Sequence, residues 1–274
     1  MTSAAPAAPR AASGSRGGVA GSLNRTLAIA EVEVRKLIRD PTELVTRAVQ
    51  PVLWLLVFGQ VFSRTHAIPT GELSYLEFMA PGVLAQGVLF AAIFYGIAII
   101  WERDLGIVHK LLASPAPRSS LVLGKALAAG VRGLPQALII YLLAGWLGVR
   151  LDFGPVALAE VALLVLLGSA TFATFSLVVA CLVKTRERFM GIGQLLTMPL
   201  FFASNAIYPL DLMPRWLRLI AHGNPLTYLV DGLRTLMLQH GESGFGLGTD
   251  YLVELVLLAA LVLVAARLYP GLAR

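Results

Sequence analysis

Between Trp101 and Arg118 the chain reads WERDLGIVHKLLASPAPR, and it gathers residues there that could grip another surface. Glu102, Arg103, Asp104, His109 and Lys110 supply charge. Leu105, Val108 and Leu112 share one helical face and Ile107 and Leu111 another, at the spacing of an amphipathic helix. Pro115 and Pro117 end that helix. The chemistry on offer is mechanical rather than covalent: a short rigid helix seated in a groove on a neighbouring subunit can carry force. A solvated loop laced with its own salt bridges would show the same spacing.

A second constellation lies between Asn205 and Arg234, where an apolar stretch is broken by Pro209, Pro214 and Pro225. Each proline removes a backbone donor, so the segment is expected to fold as short helical pieces, a re-entrant hairpin over 209–238. Irregular backbone at membrane depth must be sheltered by protein. Trp216 and Tyr228 suit the headgroup level, and Asp231 and Arg234, three residues apart, are expected to pair on one helix face. A third candidate is Arg132, about 15 Å into an apolar run at 1.5 Å per residue. An intramembrane charge marks function by default. Flanking Gly130 and Gly133 fit a structural pairing equally well, with Glu254 or Glu160 as partner.

Other chemistry is missing. No Gly-x4-Gly-Lys-[Ser/Thr] phosphate loop occurs, since Gly124-Lys125 is followed by Ala126 and lacks the upstream glycine. Any phosphate-loop nucleotide chemistry would therefore have to be supplied by another polypeptide. Cys181 is the single cysteine, and the 4 histidines (66, 109, 222, 240) are scattered, so neither a disulfide nor a metal site is expected.

The elements that must position these residues follow from composition. Over 274 residues, 57% are hydrophobic and 14% charged, against about 25% charged in a soluble domain. Continuous rather than alternating apolar runs exclude a β-barrel. The expected fold is all-α and polytopic. Residues 1–21, rich in Ala, Pro, Gly and Ser, read as a disordered cytoplasmic tail. Residues 22–40 read as a basic amphipathic helix lying along the inner membrane surface. Six spans follow, near 44–62, 79–101, 121–147, 156–183, 189–208 and 251–268, with a coupling loop over 102–118.

The net charge of +6 is not pooled on one face, which argues against a nucleic-acid partner. Lys and Arg recur between apolar runs instead. With the amino terminus inside, 16 fall in inner segments and 5 in outer ones, with Arg132 completing the 22. That asymmetry places both termini in the cytoplasm of a multi-pass protein of the inner (plasma) membrane.

Tyr75-Leu-Glu-Phe-Met-Ala-Pro81-Gly82, the Trp101–Pro115 loop, Leu123-Gly124-Lys125 and the Tyr208–Arg234 stretch together resemble the ABC-2 type permeases. The resemblance runs in order from about Leu44 to the C-terminus and includes the daunorubicin-resistance-like and nodulation-factor or polysaccharide export branches. It implies a dimer of six-span subunits, with a second copy or a related permease, served by two copies of a separate ABC ATP-binding subunit. The implied coupling residues are Glu102, Arg103, Asp104, Gly106, His109, Lys110, Leu111, Leu112 and Pro115. Spans two and five would line a cargo cavity with Phe90, Phe94, Tyr95, Thr197, Phe201, Phe202 and Asn205. Pro209, Pro214, Trp216, Pro225, Tyr228, Asp231 and Arg234 would form an outer gate. The expected function is export of an amphiphilic drug, lipid or glycan-type cargo. An ion-coupled carrier and a non-transporting scaffold are the other readings, and the carrier would need acidic groups deep in the spans.

Overall fold

Long apolar runs leave the backbone no partner but itself, and the chain answers with helices. The computed structural model describes residue 31 and residues 49–65, 68–113, 117–183 and 185–273. The expected 1–21 tail, the 22–40 helix except Glu31, and Pro115 lie outside the described residues. Helix α1 covers residues 49–65 and widens into a π-helix at Trp54–Gly59 before returning to α at Gln60–Thr65. Helix α2, Tyr75–Asp104, starts in a capping box: Ser74 Oγ accepts from Glu77 N at 3.2 Å, and Glu77 Oε2 accepts from Ser74 N at 2.8 Å. Then come α3 (Ile107–Leu112), α4 (Arg118–Trp146), α5 (Pro155–Leu182), α6 (Arg186–Phe202), α7 (Arg215–His222), α8 (Pro225–Met237) and α9 (Leu247–Leu268).

Among the described residues, 4 helices are long and apolar enough to cross a membrane: α2, α4, α5 and Leu247–Gly271. The expected first span is described only from residue 49. The expected fifth span ends early, because α6 stops at Phe202 one turn after Pro199. Its 17 residues reach about 26 Å at 1.5 Å per residue. The stretch expected to break at its prolines does so. Pro214 precedes α7, Asn224-Pro225 opens α8, and Leu212–Leu238 is not one helix.

Helix α5 is the hub, packed on α2, α4, α8 and α9. Leu164, Phe172 and Leu177 from α5 meet Leu84, Leu89 and Ile99 from α2 and Leu226, Leu229 and Leu233 from α8 in one buried cluster. Helix α9 differs. It turns Leu252, Leu255, Val256 and Leu263 outward, each more than half exposed, as a lipid-facing helix does. Lipid is as apolar as leucine, so close backbone approach rather than hydrophobicity must draw these helices together. Gly82 on α2 supplies one such approach: a Cβ there would lie 2.3 Å from the Ala206 carbonyl oxygen.

At the end of the bundle carrying the α4–α5 and α8–α9 loops, backbone joins backbone. Asp152 N donates to Met237 O at 2.8 Å and Gln239 N to Arg150 O at 3.1 Å, around an antiparallel bridge between Leu151 and Leu238. Arg150 also donates to Glu77 Oε1 at 2.7 Å, and the carboxylate holds its guanidinium above the ordinary arginine range.

Candidate functional site

At the opposite end α2 stops because Gly106 takes a left-handed backbone, φ 72°, a conformation glycine adopts at no steric cost. The turn starts α3, a helix of only 6 residues. The face expected from Leu105, Val108 and Leu112 is therefore split. Leu105 stays outside α3 and is 67% exposed, whereas Val108 is fully buried. Leu111 and Leu112 pack against the core, and His109 and Lys110 lie on the exposed side.

The charges of this turn reach two other helices. Glu102 forms an ion pair with Lys125 of α4, whose side chain is buried. Asp104 accepts from Arg103 Nη2 at 2.9 Å and from Arg186 Nη2 of α6 at 2.7 Å. Arg186 also stacks over the Trp101 ring at 4.0 Å, which desolvates one face of the guanidinium. Trp101, Glu102 and Asp104 thus knot α2, α4 and α6 together at one end.

Above this knot opens a cavity of about 780 Å³, lined by Phe90, Phe94, Tyr95, Trp101, Glu102, Arg132 and Gln136 among others. A second, of about 290 Å³, shares Phe90 and Phe94 and adds Phe189, Gln194, Thr197 and Met198 from α6. Four of the seven expected cavity residues are therefore brought together: Phe90, Phe94, Tyr95 and Thr197. The other three are not on these walls. Phe201 is buried edge-on against Trp54 at 5.8 Å, and Phe202 packs on Phe201. Asn205 is buried and offers its carbonyl to Arg234. Arg132 faces this cavity, its guanidinium 5.5 Å from the Tyr95 ring. Of its two expected partners, Glu254 is fully buried beside Thr171 of α5, with neither carboxyl oxygen in a hydrogen bond.

In the α7–α8 region, Trp216 is 65% exposed on α7, and Tyr228 Oη donates to His222 O at 2.7 Å across the turn. Pro209 precedes the short 3₁₀ turn Leu210–Leu212. Asp231 and Arg234 do not bond each other as expected. Arg234, buried, donates to Asn205 O at 2.8 Å and Phe78 O at 3.3 Å and stacks on Phe78 at 3.9 Å. Asp231 accepts from Ser243 Oγ at 2.7 Å and Phe245 N at 3.1 Å. The reason is supply: the segment that leaves α6 early exposes carbonyls that need a donor, and a guanidinium has five. Sequence reasoning missed Asn224, whose Nδ2 donates to Leu200 O at 2.7 Å and Ala203 O at 3.1 Å. Its Asn-Pro cap signature was visible, but not its reach across to the end of α6. It also missed Arg186 and Arg150, each paired with a carboxylate distant in the chain.

The described spans, the charged turn and the aromatic cavity are those of a membrane transport subunit, and comparison with known proteins agrees. The family model of the ABC-2 type transporter matches residues 24–238, and the chain belongs to that family. It is 33% identical over 204 residues to the transport permease ycf38 of Cyanophora paradoxa, covering 73% of this chain and 70% of the relative. It is 26% identical to the daunorubicin resistance ABC transporter permease protein DrrB1 of Streptomyces coeruleorubidus, covering 84% and 80%. It is 24% identical to the inner membrane transport permease YadH of Escherichia coli K12, covering 79% and 84%. The protein is a multi-pass membrane protein of transport-permease type.

Proposed function

We propose that this chain is the membrane subunit of an ATP-driven exporter, moving an amphiphilic cargo outward with energy from a separate ABC ATP-binding subunit. One observation carries the reading: the cavity wall and the charged turn are the same piece of chain. Trp101 and Glu102 line the cavity, while Glu102 and Asp104 bond α4 and α6. A push on α3 therefore moves the walls around the cargo rather than a loose loop. Two permease copies and two ATP-binding subunits would complete the machine, with ATP and Mg held by the latter. The aromatic lining with the Arg132 guanidinium suits a cargo with an apolar body and a polar head, and the drug-resistance relative supports a drug-type molecule. Both termini lie in the cytoplasm on this reading, and α7 and α8 form the outer gate.

The test is co-expression and co-purification with ABC ATPases of the same genome, reconstitution, and measurement of cargo-stimulated ATP hydrolysis. Gly106→Pro cannot adopt a positive φ, so it should abolish stimulation while insertion and ATP binding persist. Glu102→Ala should reduce it severalfold. Full stimulation in both variants would overturn the coupling role.

A further inference from the structure

Three buried carboxylates cluster where α5, α8 and α9 meet, away from the cavity: Asp231, Asp250 and Glu254, each at most 4% exposed. Asp250 and Glu254 stand one turn apart on α9, where two like charges repel. Counting hydrogen bonds shows that they cannot both be ionised without cost. Ser243 Oγ accepts from Gly246 N at 2.6 Å and has one proton, which goes to Asp231 Oδ2 at 2.7 Å. Asp250 Oδ2 lies 3.3 Å from the same oxygen. That contact becomes a full hydrogen bond only if Asp250 donates, and the hydroxyl is then saturated with one donation and two acceptances.

Glu254 repeats the pattern. Both its carboxyl oxygens are buried without a hydrogen-bond partner. The hydroxyl beside it, Thr171, spends its own proton on Leu167 O at 3.0 Å. Thr171 can accept from a neutral Glu254 while keeping that bond, whereas an ionised Glu254 is served only if the single hydroxyl proton leaves Leu167 O. A carboxylate without a donor in a dry site takes up a proton rather than stay charged.

The charged groups around the cluster leave it uncompensated. On α8, Arg234 is committed to two carbonyls, and Asp231 already receives Phe245 N and Ser243 Oγ. On α4, Lys125 is paired with Glu102, and Arg132 lies over Tyr95. On α5, the Glu160 backbone faces Tyr251. His240 and Glu242 belong to a polar cavity of about 860 Å³ among the loops. Among the described residues no group of three acidic, histidine or cysteine side chains is disposed to hold a metal ion.

We propose that Asp250 and Glu254 form a membrane-buried proton-binding site, connected through Ser243 to Asp231 and the loop end of the bundle. The ligand is a proton. It arrives from water at the loops, binds a carboxylate oxygen, and is held by donation to Ser243 Oγ or Thr171 Oγ1. The inference stands apart from the exporter reading, because it concerns this chain alone.

The test is infrared spectroscopy of the purified full-length protein in lipid nanodiscs at neutral pH. The expected result is the carbonyl stretch of a buried carboxylic acid, downshifted in D2O, reduced in Glu254→Gln or Asp250→Asn and lost in the double variant. Amides mimic the neutral acid, so both single variants should elute and melt as the wild type does. Absence of the band, persistence of it in the double variant, or failure of the amide variants to fold would overturn the proposal. So would a melting midpoint raised by Na⁺ or Ca²⁺ at fixed ionic strength in the wild type but not in the double variant, which would make the site a metal site.

Discussion

The two ends of the bundle are tied by different bonds. At the Gly106 end, helices are joined by side-chain ion pairs: Lys125 with Glu102 largely buried, and Asp104 with Arg186 about a third exposed, at 35% and 36%. At the other end the Arg150–Glu77 pair is accompanied by backbone hydrogen bonds and by a buried guanidinium donating to backbone carbonyls. Exposed pairs are worth about 0–1 kcal/mol and are screened by salt. Buried bonds to a charged donor are worth roughly 1.5–3 kcal/mol each. One end is built to be rearranged and the other to stay as it is. Motion imposed at α3 then pivots about the loop end.

Arg234→Met is the harshest way to break this comparison. It removes the donor to the buried Asn205 carbonyl and a second bond to Phe78 O, and it should lower stability by roughly 3 kcal/mol, seen as a large fall in melting midpoint or loss of the folded peak. A wild-type midpoint would show that the loop end is not the anchor. Gly82→Ala should come next. Its added methyl meets the Ala206 backbone rather than a side chain that can swing away, at a cost of about 1–3 kcal/mol. The smallest stability effect is expected from Asp104→Asn, about 1 kcal/mol or less. That variant should nonetheless alter cargo-stimulated hydrolysis strongly, because it loosens α2 from α6 beneath the cavity. Equal losses of stability from Asp104→Asn and Arg234→Met would erase the distinction between the ends.

The prolines, the apolar run lengths and the charged loop were all legible in the chain, because each acts within a few residues of itself. The break at Pro214 and Pro225 is of this kind. What could not be read were partners remote in sequence. Asp231 and Arg234 sit at pairing distance along a helix, yet the uncovered carbonyls of Asn205 and Phe78 outbid that local pairing. The early end of α6 made Asn205 a backbone acceptor in the core instead of a cavity wall. Depth alone makes Glu254 one of two candidate partners for Arg132; packing on α5 decides which face each helix turns.

The bridge between Leu151 and Leu238 also constrains how the protein is made. Gln239 and the Leu151 carbonyl it bonds are 88 residues apart. At the roughly 5–20 residues per second of ribosomal synthesis, the α4–α5 hairpin emerges on the order of ten seconds before its partner. During that interval the carbonyls of Arg150 and Leu151 have only water to bond, so this turn must wait in an aqueous or interfacial environment. The tie around which the finished protein is anchored can therefore form only once residue 239 has been made.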